Sequence, residues 1–88
     1  MLFRISHKKN KKFDVFYNGK WIPFGDKRYE HFRTSNEIPN NLHIYSEHHD
    51  ILRRESYRKR ASKIKDKDGN YTYLNKNSSN YWSYNYLW

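Results

Sequence analysis

Apolar and polar positions alternate along KFDVFYNGKWIPFG, residues 12–25, and Asn18-Gly19 interrupts the alternation at its centre. An Asn-Gly pair tolerates the two positive φ angles of a type I′ turn, so the pattern predicts two strands folded into a hairpin. Pairing Tyr17 with Lys20 sets Phe13 opposite Phe24 and Val15 opposite Ile22 on one face, the expected core face, with Phe16 and Trp21 on the other. Pro23 has no backbone donor, which places its strand at a sheet edge. Phe3 and Ile5 alternate with Leu2 and Arg4, predicting a third strand over residues 2–6. The basic loop HKKNKK then joins it to the hairpin as an antiparallel meander covering residues 2–25.

No sustained period follows Gly25; a short helical turn over residues 26–32 with Asp26 as N-cap is expected, then a loop with a turn at Pro39, Asn40 and Asn41. The strongest helical pattern spans residues 46–64 behind Ser46 as cap. Glu47 and Asp50 lie in its first turn, and Asp50 to Arg54 and Glu55 to Lys59 are acid-before-base pairs at i, i+4. Tyr57, Ala61 and Ile64, with Ile51 or Leu52, form a narrow apolar stripe expected to lie on the meander, and KDKDGN marks a turn beyond. Residues 71–74 suggest a short strand. Periodicity leaves YWSYNYLW open between helix and extended chain, and the polar cluster at 77–80 favours a helix capped by Ser78 or Ser79.

The whole reads as one α+β domain over residues 1–88: a small antiparallel meander packed on one basic helix, with an aromatic segment over residues 71–88. Hydrophobic residues make up only 35% of the chain and charged ones 31%, a balance that leans towards disorder, but 19% are aromatic. Each buried ring removes roughly 150–250 Å² from water, so aromatics can stand in for aliphatics in the core. Eighty-eight residues leave little room for a large enclosed active site. Without cysteine, disulfides and thiolate zinc sites are excluded. Met1, Leu2 and Phe3 are cut off by Arg4, too short a run for a signal peptide, and no stretch approaches the roughly 20 apolar residues that span a bilayer.

Eighteen Lys and Arg against nine Asp and Glu give a net charge of +9, a long-range field favouring nucleic acid, anionic lipid or an acidic protein face. Lys, Asn, Tyr and Ile, all with A/T-rich codons, dominate the composition, so part of that charge reflects codon usage. Two clusters carry it: the loop with Lys8, Lys9, Lys11 and Lys12, and the helix with Arg53, Arg54, Arg58, Lys59, Arg60 and Lys63. Guanidiniums bind phosphates or carboxylates in bidentate fashion, and these ten residues are the expected contacts to an anionic partner. With exposed Phe16 and Trp21 the loop would resemble a single-strand binding surface, but packing of that face on the C-terminal aromatics is the expectation.

His48, His49 and Asp50 suggest a metal or an acid/base site, but neighbouring histidines on a helix point about 100° apart and cannot converge on one ion. No metal, cofactor or catalytic residue is expected. Tyr81, Trp82, Tyr84, Tyr86 and Trp88 exceed what a small core needs to close. They form a candidate protein interface, with folding back over the hairpin as the other arrangement.

FGDKRYEHF, HHDILRRESYRKR and NKNSSNYWSYNYLW together resemble a family of short basic proteins of nucleocytoplasmic large DNA viruses, over roughly residues 13–88. In that family a hairpin ending in Phe-Gly leads to a His-Asp helix start, an Arg/Lys-rich helix and a Trp-rich segment closing on Leu-Trp. The matching positions are Phe24, Gly25, Tyr29, His49, Asp50, Arg53, Arg54, Tyr57, Arg60, Tyr81, Trp82, Leu87 and Trp88, a mixture of aromatics, one Gly and a helix cap that reads as a folding signature. The resemblance attaches no enzymatic activity to the pattern. The expectation is a non-enzymatic virion structural protein, a minor capsid or cementing component made in the host cytoplasm and binding acidic surfaces of larger coat proteins. The alternative is a nucleic-acid-binding accessory protein that contacts DNA or RNA phosphates without sequence specificity.

Overall fold

Asn18 at φ 54° and Gly19 at φ 77° form the tight turn that the Asn-Gly pair predicts. In the computed structural model, which describes residues 1–88, the flanking strands are β2 (Lys11–Tyr17) and β3 (Lys20–Asp26). Their register is the expected one, with Tyr17 opposite Lys20, Val15 opposite Ile22 and Phe13 opposite Phe24. A short strand β1 (Leu2–Ile5) pairs antiparallel with β2, giving the sheet order β1-β2-β3 and leaving Pro23 on an edge strand. Beyond the sheet come a 3-10 turn at Asn40–Leu42, helix α1 (Ile51–Ala61), a second 3-10 turn at Thr72–Leu74 and helix α2 (Ser79–Tyr86). The fold is the α+β arrangement expected.

The core lies between the sheet's inner face and α2. Phe13, Val15, Ile22 and Phe24 from the hairpin meet Ile38, Trp82 and Leu87, all buried. Ser78 caps α2 by accepting from the Asn80 amide, and one turn later Trp82 enters the core at 1% exposure. Its ring packs against Phe3, Tyr17, Tyr81 and Tyr86, and its indole N–H donates to the Lys76 carbonyl at 2.7 Å. At the other end of β3, Gly25 takes φ 78°; a Cβ there would meet Leu87 Cδ1 at 2.9 Å. Its amide donates to the Ser83 hydroxyl at 3.1 Å, which ties the strand edge to α2.

Several expectations are corrected. Helix α1 begins at Ile51 and ends at Ala61, capped by Asp50 rather than Ser46, with the Asp50 carboxylate accepting from the Leu52 and Arg53 amides. Residues 47–49 are unavailable to it because they run alongside residues 31–32: His48 and His49 donate to the His31 and Phe32 carbonyls, and His49 takes φ 53°. Neither acid-before-base pair forms, since Asp50 is used as the cap and Arg54 turns to the C-terminal segment. The apolar stripe of α1 does not lie on the meander. Tyr57 stacks on Trp88 at 4.2 Å and Ala61 is buried, whereas Ile51, Leu52 and Ile64 remain exposed. Residues 26–30 make a turn stabilised by the Asp26 carboxylate and Arg28, without a helix, and residues 72–74 are a 3-10 turn where a strand was expected.

Candidate functional site

The ten expected anion contacts divide into two populations. Lys8, Lys9, Lys11, Arg53, Lys59, Arg60 and Lys63 stand at the surface, and of these Arg53 alone has a partner, Glu30 at 3.4 Å. Over the whole chain six of eighteen Lys and Arg side chains hydrogen-bond within the protein, namely Arg4, Lys12, Arg28, Arg53, Arg54 and Arg58. The remaining cations carry the field outward. The loop and the end of α1 border a common cleft of about 280 Å³, to which the loop contributes Lys11 and the helical side contributes Tyr57 and Ile64. Asp26 and Glu30 also line it.

Lys12, Arg54 and Arg58 make hydrogen bonds within the fold. Arg54 and Arg58 are one turn apart on α1 and so share a face. Arg54 Nε donates to the Trp88 main-chain oxygen at 2.7 Å and Arg58 donates to the Tyr84 carbonyl at 3.1 Å, with the Arg58 guanidinium 3.9 Å over the Tyr84 ring. The Ser35 and Arg33 amides take the Tyr86 and Leu87 carbonyls at 2.8 and 3.1 Å. The carbonyls at the end of α2, which no intrahelical partner can satisfy, are thus closed by donors from two distant segments, and the cations sit where the helix dipole favours them. This arrangement brings Arg33, Arg54 and Arg58 to one cleft of about 290 Å³, together with Ser35, Asn85 and Phe32. No acidic side chain lines it.

Lys12, taken from its neighbours as a loop cation, lies in β2 at 2% exposure. Its ammonium donates to His31 Nδ1 at 2.7 Å, and His31 Nε2 meets the Thr34 hydroxyl at 2.7 Å. With Nδ1 accepting, the neutral ring carries its proton on Nε2 and donates it to Thr34. The Thr34 amide in turn donates to the Glu47 carboxylate at 2.6 Å. Burial pushes Lys12 down to about 8 against the pull of Asp26 and Glu30. Burial, then the Lys12 charge, pushes His31 down to about 4. Burial raises the Glu47 carboxyl, but the Thr34 amide and hydroxyl and His49 outweigh it and hold the group below its ordinary value. A depressed lysine beside a neutral histidine can handle protons, but His31 is 1% exposed and both its ring nitrogens are engaged within the fold. The chain of contacts fastens residues 31–34 and 47 to the sheet. Sequence reasoning missed it because Lys12 and His31 are nineteen residues apart and nothing local marks their contact.

His48 and His49 do not converge. His48 Nδ1 accepts from the Asp50 amide at 2.9 Å while its ring lies against Trp88, and His49 faces Glu47 at 3.2 Å. No group of three or more His, Asp or Glu side chains comes together to hold a metal. Of the expected protein-interface residues, Trp82 belongs to the core and Tyr81, Tyr84, Tyr86 and Trp88 are half-buried over the sheet, α1 or the turn at residue 73. Folding back is what occurs. The outer hairpin face stays uncovered by these aromatics: Phe16 is 40% exposed against Trp21, and Arg4 lies 3.8 Å over the Trp21 ring while pairing with Asp14.

No helix is long and apolar enough to cross a membrane. No curated protein and no solved structure matches the chain. The model of a family of unknown function, DUF5754, matches residues 2–37, less than half the chain: the similarity spans the three strands together with Lys12, His31, Arg33 and Thr34, and stops short of both helices.

Proposed function

We propose that the chain is a non-enzymatic binding protein for nucleic-acid phosphates, acting without sequence specificity through Lys8, Lys9, Lys11, Lys59, Arg60 and Lys63. The observation that carries this reading is the imbalance at the surface: these six cations have no carboxylate partner, while the aromatic C-terminus is spent on the core. Phosphate contacts position a protein on a polymer and carry no sequence information by themselves. Fluorescence polarisation with two unrelated duplexes over a salt series tests it. The affinity should fall with a log-log slope of about −0.9 per phosphate contacted and equally for both sequences. Binding indifferent to salt, or confined to one sequence, refutes it.

A second reading keeps the virion role, a minor capsid or cementing component in a large DNA virus. It is favoured by Tyr29 and Leu52, exposed at 65% and 74%, which line one recess with Arg53 and Arg60 from the first and last turns of α1, and by Ile51 at the helix start, exposed at 54%. Apolar side chains rimmed by cations suit an acidic protein face better than a phosphate backbone. Retention of the chain at fixed stoichiometry in nuclease-treated, genome-free particles supports this role, and loss with the genome supports the first.

A further inference from the structure

The cleft at the end of α2 gathers three arginines and no Asp or Glu side chain, and Arg54 Nε already holds the Trp88 main-chain oxygen at 2.7 Å. Arg33 comes from the segment that closes the Leu87 carbonyl, and Arg54 and Arg58 come from one face of α1. Like charges converging in a recess are unfavourable unless an anion joins them, and a carboxylate at Trp88 would offset only one of the three. Here the arginines are also held in place beforehand. Arg54 is fixed by its Nε bond to Trp88 and lies 5.2 Å over Phe32, and Arg58 is fixed to Tyr84 through both its carbonyl and its ring. Each spends one donor on the backbone and keeps the others, while the Arg33 side chain has no hydrogen bond in the protein. Preorganised guanidiniums lose little side-chain entropy when they bind, which is the main cost such a site otherwise carries.

We infer that this cleft is a phosphate-binding site, with Arg33, Arg54 and Arg58 as its cationic contacts and Ser35 and Asn85 as neutral polar ones. Phosphate suits it better than a carboxylate, because three guanidiniums match a tetrahedral dianion with several acceptor oxygens. The neighbouring rings offer no free face for a nucleobase: Trp88 lies between Tyr57 and His48, and Phe32 is covered by Arg54, His48 and His49. The ligand is therefore recognised by its phosphate alone. The site deepens the nucleic-acid reading and rests on it only for what the phosphate is attached to.

Titration with inorganic phosphate, followed by the Nε–H signals of the arginines in nitrogen-15 NMR, tests the site. A saturable shift at Arg54 and Arg58 is expected. R33Q should weaken it about tenfold or more without a change in Tm, because Arg33 contributes only its backbone amide to the fold. K20Q, which removes the same charge at the hairpin turn outside the cleft, should change it less than about twofold. An oligonucleotide compared with and without a 5′-phosphate separates the sources. A 5′-phosphate preference that R33Q abolishes assigns a terminal phosphate, and equal weakening of both by R33Q assigns a backbone phosphate. Shifts that do not saturate, or equal effects of R33Q and K20Q, overturn the site. Salt-dependent oligonucleotide binding that survives such a result leaves the broader reading standing, and its absence sinks both.

Discussion

Acidification from pH 7 to pH 4.5 should destabilise the fold by roughly 2 kcal/mol through His31 alone. The ring is held neutral in the folded chain, with its value at about 4 against an ordinary 6.5, because it is buried and Lys12 stands 2.7 Å away. Between these two values the unfolded chain takes up a proton that the folded chain refuses, so stability is fully present above about 6.5 and is lost as pH falls towards 4. At about 1.4 kcal/mol per pH unit, and with the unfolded histidine almost fully charged at pH 4.5, the loss reaches roughly 2 kcal/mol there. For a domain of this size that is a fall in Tm on the order of 10 °C. His48 is also held below its ordinary value, by burial and then by Arg53, and adds to the same slope. Glu47 and Asp26, both depressed, act lower, as pH falls below their unfolded values of 4.5 and 3.8. Urea denaturation followed by tryptophan fluorescence at half-unit pH steps measures the slope, with His31→Asn and His48→Asn as references. A stability that is flat from pH 7 to 4.5, or a slope that His31→Asn leaves intact, would falsify the account of the buried contacts.

On the alkaline side Lys12, depressed to about 8, should make stability rise from pH 8 towards 10, after which Tyr45, Tyr57 and Tyr86, all raised by burial, reverse the trend; the same titration extended upward checks both limbs. Trp82→Ala removes the largest buried side chain and should cost about 3–5 kcal/mol, seen as loss of a cooperative thermal transition. Asp50→Ala leaves the Leu52 and Arg53 amides uncapped and should cost about 1 kcal/mol, with Asp50→Asn retaining most of it. Gly25→Ala combines a strained φ with a clash on Leu87 and should destabilise more than Gly69→Ala, where φ is 83° but the space is open; a gap of about 1–3 kcal/mol in chemical denaturation is expected.

The sheet was legible because its determinants are local: Asn18-Gly19 fixes the turn, and the two-residue period then fixes which of Phe13, Val15, Ile22 and Phe24 share a face. The Ser78 cap was legible for the same reason. The start of α1 was not, because Ser46 and Asp50 are both good caps locally and the choice is made by pairing of residues 47–49 with residues 31–32. Ile38, one apolar residue in a polar stretch, gave no period at all, yet it is fully buried. Within the site, the exposed cations were legible from composition. What composition could not separate was Arg54 and Arg58 from Arg53 and Arg60, since the carbonyls they serve lie more than twenty residues away. Lys12 looked like Lys8, Lys9 and Lys11 for the same reason.

The position of Trp82 and Leu87 in the core has a consequence for synthesis. A chain emerging from the ribosome completes its meander early, but the hydrophobic side of that sheet is covered only in part, by Ile38, Leu42 and Tyr45, until the residues around 82–88 have been made. Helix α1 is in the same situation, since its closest contacts are Trp88, Tyr84 and the Asn80 amide on the Ala61 carbonyl. Closure of the core therefore waits for Trp82 and Leu87, and any product stopped before them leaves part of the Phe13, Val15, Ile22 and Phe24 face open to its neighbours. Such fragments should be cleared or aggregate, so a chain stopped before Trp82 would lose the whole fold and not a part of it.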